Sequence, residues 1–96
     1  PLLKKIKFKK LLNVRSNLFL RDHVNTVYPK HKDYEYKHKV LLYYVNSTNG
    51  GTLLDEKVTI KCKKNRGLFM DGDIWHSPIT QTNTKYRVVV NIGYIE

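Results

Sequence analysis

The sequence predicts an all-β domain, a jelly roll built from two facing antiparallel sheets with little or no helix. Three observations point there. Short runs of β-branched, leucine and tyrosine residues recur along the chain, turn-forming residues interrupt them about every eight to twelve positions, and no segment sustains a clear helical period.

Residues 1–12 mix apolar and lysine positions, which suits either the end of an amphipathic helix or, over Lys5 to Lys9, an alternating strand. They read as a supporting segment ahead of a core spanning 13–96, the whole of 1–96 forming one domain. Asn13 to Leu20 alternates as a strand, with Val14, Ser16, Leu18 and Leu20 on one face and Arg15, Asn17 and Phe19 on the other. Arg21 to Lys30 is polar, carries Pro29 and reads as a loop. Lys39 to Val45 has the composition of a central strand. The cluster from Asn46 to Gly51 predicts a reversal in which the glycines supply positive φ. Thr52 to Leu54 and Val58 to Cys62 read as short strands around Asp55-Glu56-Lys57. Lys63 to Arg66 turns the chain into a strand over Gly67 to Met70. Asp71-Gly72-Asp73 turns it again, Trp75 to Ile79 is a short strand, Thr80 to Lys85 a polar loop, and Tyr86 to Ile95 a long closing strand.

Ninety-six residues suffice for one small core. The chain starts at Pro1 and ends on a strand-like run, so it reads as an excerpt that lacks N-terminal supporting helices. The single cysteine, Cys62, has no internal partner, which favours a reducing compartment, and it reads as a buried small residue rather than a ligand. No stretch approaches the ~20 apolar residues of a membrane span, so a soluble, cytoplasmic protein is expected, in a host cytoplasm if it is viral. Eighteen Lys and Arg against eight Asp and Glu give a formal charge of +10, which attracts polyanions or acidic small molecules. Only four of the eighteen are Arg, and lysine-rich decoration is more often a solvated face than a base-reading surface.

The chemistry-bearing residues are fewer. On an extended backbone, residues two apart project to one side, so His31 and Asp33 can grip one ion while Lys32 points away. His76, which follows the Asp71-Gly72-Asp73 turn, supplies a third ligand from a distant strand start. Two imidazoles and a carboxylate on one side of a metal form the facial triad of non-heme Fe(II) oxygenases, with the opposite positions open for chemistry. Arg87 lies in the last strand with Val89, Asn91 and Gly93 on its face. An arginine aimed into a barrel is a costly charge unless an anion meets it, and its fork suits a carboxylate. A diacid such as 2-oxoglutarate, chelating the metal at one end and held by Arg87 at the other, resolves that cost. The opposite assignment sends Arg87 to solvent and Val88, Val90 and Ile92 to the core. Tyr44 either lends its hydroxyl to the same carboxylate or only fills core volume. Asn17 and Asn91 line the pocket or sit at sheet edges, and Trp75 packs outside it. His23-Val24-Asn25 imitates the ligand pair in a less strand-like setting, and His38 reads as a surface or supporting group.

Taken together, His31-Lys32-Asp33, the run from His38 to Asn46, Asn49-Gly50-Gly51-Thr52, the run from Gly67 to Gly72, His76 and the run from Tyr86 to Asn91 resemble the Fe(II)/2-oxoglutarate-dependent dioxygenase superfamily. Within it, the likeness is to the prolyl-hydroxylase-like branch with its short phage, viral and metagenomic members. The resemblance spans about Asn13 to Tyr94. It implies a double-stranded β-helix, iron held by His31, Asp33 and His76, and 2-oxoglutarate held by Arg87 with help from Tyr44. It also implies a hydroxylase that uses O2 and converts 2-oxoglutarate to succinate and CO2. The primary substrate is left open among a protein side chain, a nucleic acid and a small molecule. The competing readings are a cupin-like metal-binding domain and a nucleic-acid-binding β-domain, neither with oxygenase activity.

Overall fold

Lys39–Tyr44 is apolar on both sides of the alternation after its first residue, and Tyr86–Ile95 is apolar on one side and mixes Arg87 and Asn91 with Val89 on the other, so both strands need cover on both faces. Each duly lies in the interior of a sheet. The structure, a computed structural model, describes residues 9–96 and contains seven strands and no helix among them. These are β1 (Lys10–Leu20), β2 (Lys39–Tyr44), β3 (Gly51–Leu54), β4 (Val58–Lys61), β5 (Gly67–Asp71), β6 (His76–Ile79) and β7 (Tyr86–Ile95). They form two antiparallel sheets, one of four strands in the order β1-β7-β2-β5 and one of three in the order β4-β3-β6. The strand expected over Asn13 to Leu20 begins earlier, at Lys10, through a register shift between Leu11 and Asn13. Residues 1–8 of the expected supporting segment lie outside the described residues.

Alternation along β2 sends Val40, Leu42 and Tyr44 into a core shared with Cys62, Met70 and Val89. Leu54 and Ile60 of the smaller sheet pack against that cluster, so this is the layer between the sheets. Leu41 points the other way and joins Ile92 and Tyr94 in a second cluster. The same alternation turns Arg87, Val89 and Asn91 of β7 toward the first layer. The register sets Phe19 opposite Arg87, Asn17 opposite Val89 and Arg15 opposite Asn91.

Two sequence expectations change. The segment 21–30 is not a free loop, because backbone hydrogen bonds from Asp22 to Gln81, from Tyr28 to Pro78 and from Thr80 to Thr26 lay it along the outer edge of β6. Asp22 fastens its start: one carboxylate oxygen accepts from both the Thr26 and the Thr80 hydroxyls. Nor do Gly50 and Gly51 supply positive φ, since no described glycine has one. They are needed for close approach instead: a Cβ on Gly50 would lie 2.5 Å from the Ile79 carbonyl oxygen, and one on Gly51 2.2 Å from that of Ile60. Positive φ falls on Asp55, Glu56 and Asn65, which form the β3–β4 and β4–β5 turns.

Gly51→Ala therefore drives a methyl group into the backbone of β4 and is expected to cost about 1–3 kcal/mol, the usual range for overpacking. Gly67→Ala, whose Cβ would meet only the Leu41 side chain at 3.4 Å, is expected to be tolerated. Urea midpoints measured side by side test the pair; equal midpoints would contradict it.

Candidate metal centre

The site begins with backbone pairing. His31 and His76 are directly opposite partners in an isolated antiparallel bridge, and they exchange both hydrogen bonds, His31 N–H to His76 O at 2.9 Å and His76 N–H to His31 O at 3.1 Å. This bridge extends the alignment of 21–30 along β6 and fixes the spacing of the two imidazoles, whose ring centroids lie 4.2 Å apart. Asp33, two residues on, returns to the same side. One ligand atom from each of His31, Asp33 and His76 lies within 4.8 Å of the others, so the group could hold a metal ion.

Asp33 Oδ1 is the focus of the cluster. It stands 3.4 Å from His31 Nε2 and 3.7 Å from His76 Nε2, and its side chain is only 2% exposed. Those separations are too long for good hydrogen bonds, and both Asp33 Oδ1 and His76 Nε2 are buried without a hydrogen-bond partner. The other oxygen, Oδ2, accepts a long bond of 3.4 Å from the Asn91 amide. Arg15 comes within 3.9 Å of Oδ1 from a mostly exposed position. The His76 imidazole, aided by Asn91 and His31, holds the Asp33 carboxyl at about 2, although burial pushes it up. Burial and the neighbouring His76 lower the His31 pKa below 6.5, with Asp33 opposing them. At neutral pH the group thus offers a carboxylate and a neutral His31 imidazole, the forms that bind metals.

From this cluster a cavity of about 50 Å³ runs between the sheets to Arg87, bordered by His31, His76, Leu42, Thr52, Phe19 and Asn91. Arg87 is 1% exposed. Its guanidinium lies 4.1 Å from the centroid of the Phe19 ring, and Nε and Nη2 have no hydrogen-bond partner. Asn17 also borders the cavity. Of the alternatives open in the sequence, the inward orientation therefore holds for Arg87, Asn17 and Asn91. Tyr44 is fully buried, and its hydroxyl pairs with Thr52 Oγ1 at 2.7 Å; it meets the cavity through Thr52 rather than directly.

The remaining histidines lie outside the cluster. His23 is exposed. His38 is neither a surface residue nor a support for the ligands: it is buried, bonded through Nδ1 to the Tyr36 carbonyl and packed flat on Gly72. Thr52 carried no signal in the sequence that marked it as a cavity residue, and Phe19, although alternation put it on the face of Asn17, was not singled out. The register of β1 against β7 and the fold of β3 are needed to find them. The chain matches no family model, no curated protein and no solved structure.

Two predictions follow from the geometry. Divalent metal affinity, measured by calorimetry, falls as pH drops from about 7.5 to 5, because protons compete for the His31 imidazole while Asp33 stays ionised. A flat profile would mean that His31 does not bind. Asn91→Ala frees Asp33 Oδ2 and is expected to weaken metal binding by about 10–100-fold, the range seen when a ligand loses its orienting partner.

Proposed function

We propose that the chain is an Fe(II)- and 2-oxoglutarate-dependent dioxygenase, a hydroxylase with a double-stranded β-helix core. One observation carries the reading: a single cavity joins a two-histidine, one-carboxylate cluster to a buried guanidinium with two unused N–H directions. Metal-binding clusters of this composition also suit zinc. An interior arginine at the far end of the same cavity has no purpose in a closed structural site, whereas it matches a co-substrate that is a chelating keto acid at one end and a carboxylate at the other.

The donor set fits the ion. Asp33 Oδ1 and His76 Nε2 are buried polar atoms lacking partners, and a cation between them satisfies both. Bound iron, with 2-oxoglutarate and O2, supplies the oxidation: the keto acid leaves as succinate and CO2, and one oxygen atom enters a substrate C–H bond. The protein's own residues bind and orient. His31, Asp33 and His76 would hold the ion. Arg87 takes the distal carboxylate, and its charge is desolvated in advance by Phe19 and Val89, which strengthens that attraction. Thr52, oriented by Tyr44, offers a hydroxyl on the same wall. Leu42 and Phe19 keep water from the diacid's chain.

The reading is tested by succinate release from 2-oxoglutarate in protein loaded with iron under anaerobic conditions and then exposed to air. Iron-dependent release that falls to background in His76→Ala is expected. Metal binding without any turnover would favour the cupin-like alternative. Arg87→Met gives a second, opposed signature. It should raise the KM for 2-oxoglutarate at least about tenfold, yet leave the melting temperature unchanged or higher, because replacing an uncompensated buried charge with an apolar side chain of similar length is often neutral or stabilising. A large loss of stability in that variant would make Arg87 a structural residue.

A further inference from the structure

We propose that the rim of this metal centre binds single-stranded nucleic acid and presents one base to the ion, an inference that rests on the dioxygenase reading and names its substrate class. The cavity described above runs inward from the cluster. A second and larger cleft, of about 600 Å³, lies at the ligands' outer side and is bordered by Lys30, His31, Lys32, Asp33, Tyr34 and Trp75. His31 belongs to both, with its side chain 45% exposed, so this cleft is an approach to the ligands from solvent.

Its walls combine flat rings with cations. Trp75 immediately precedes the ligand His76 and is 42% exposed, a large apolar surface left uncovered at the lip. The amines of Lys30 and Lys32, which flank His31 in sequence, lie 5.5 and 4.7 Å from the centroid of its ring. Tyr34 continues the wall and stacks on the exposed Tyr36 at 5.1 Å. Arg15 reaches the same carboxylate from β1. Glu35 also borders the cleft and Glu56 pairs with Lys30 at 3.0 Å, but a bound divalent ion more than offsets Asp33 and leaves the rim positive.

Polyanions are drawn to such a rim by charge alone, and the chain's +10 adds a long-range field. The rings decide between polyanions. An acidic peptide needs only the ammonium groups, whereas a nucleic acid strand uses both features, its phosphates taking the lysines and a base taking the indole face. The Asp33 and His76 side chains are buried while His31 is half exposed, so a base reaches the cluster only when unstacked from its neighbours, which a single strand allows at least cost.

Fluorescence anisotropy of the full chain with a short labelled oligothymidylate, with Mn(II) supplied in place of iron and 2-oxoglutarate left out, tests the proposal without depending on turnover. Binding should weaken linearly in log salt. Trp75→Ala should reduce affinity for the oligothymidylate on the order of tenfold, the scale of one stacked base, and leave an abasic strand of equal length unaffected. Lys32→Ala should flatten the salt slope by about 0.7, one phosphate contact on a single strand. Both side chains are at the surface, and circular dichroism of each variant verifies the fold. Absence of binding, or equal binding of the abasic strand or of polyglutamate with no effect of Trp75→Ala, overturns the proposal. Tight, Trp75-dependent binding by a protein that does not load iron would sink the oxygenase reading while keeping the nucleic acid cleft.

Discussion

A carboxylate oxygen held between two imidazole nitrogens, out of water and without a donor, is the constraint on which the site depends. Desolvating Asp33 costs free energy that neither a 3.4 Å nor a 3.7 Å contact with an imidazole recovers in full. The chain nevertheless fixes the arrangement through its backbone, since His31 and His76 exchange both of their peptide hydrogen bonds. Closing the 21–30 segment onto the edge of β6 and assembling the ligands are therefore one event. Any ion that binds the three groups also stabilises that closure, and anything that frays the edge spreads the ligands.

The far end of the cavity repeats this logic with the opposite sign. Arg87 is a cation placed between sheets, facing an aromatic ring and offering N–H groups that find no oxygen. The Phe19 ring offsets part of the cost through its π face, and burial pushes the guanidinium's pKa down without a carboxylate to restore it. An anion-seeking end and a cation-seeking end thus share one narrow space. A small ligand that is itself a metal chelator with a remote negative group meets both demands at once, and few other classes of molecule do.

The sequence was most legible where alternation was strict. The limits of β7 match the expected Tyr86 to Ile95 run, β2 differs from its expected run by a single residue, and period two alone puts Arg87, Val89 and Asn91 in one row, although the packing of the sheets is needed to turn that row inward. It was least legible where partners come from afar. Segment 21–30 has no apolar period because its order comes from hydrogen bonds to residues 78–81, which no local pattern encodes. Gly50 and Gly51 looked like turn residues, yet their lack of a side chain serves the neighbouring strands, a requirement visible only once β3 lies between β4 and β6. His38 sits in a polar, lysine-rich stretch, and its burial depends on a glycine in a distant turn that admits its ring. Thr52 illustrates the same gap, for a threonine after two glycines says nothing of a tyrosine hydroxyl eight positions earlier.

The site draws on three pieces that only tertiary packing holds together. β1, β2 and β7 of the larger sheet bring Phe19, Leu42, Arg87 and Asn91, while β3 and β6 of the smaller one bring Thr52 and His76. The extended segment laid along β6 brings His31 and Asp33. The distance from ligands to guanidinium is hence the distance between sheets, and it is set by Leu54 and Ile60 packing against the Val40, Leu42 and Met70 layer. A core this small has little surplus apolar burial with which to absorb a change of volume. Any ligand that spanned the cluster and the guanidinium would be correspondingly sensitive to spacing, because displacements of about 1 Å suffice to spoil a preorganised site. Selection for the right gap between the sheets would then fall on apolar residues that never touch the ligand, and the chemistry of the cavity and the packing of the core become a single constraint.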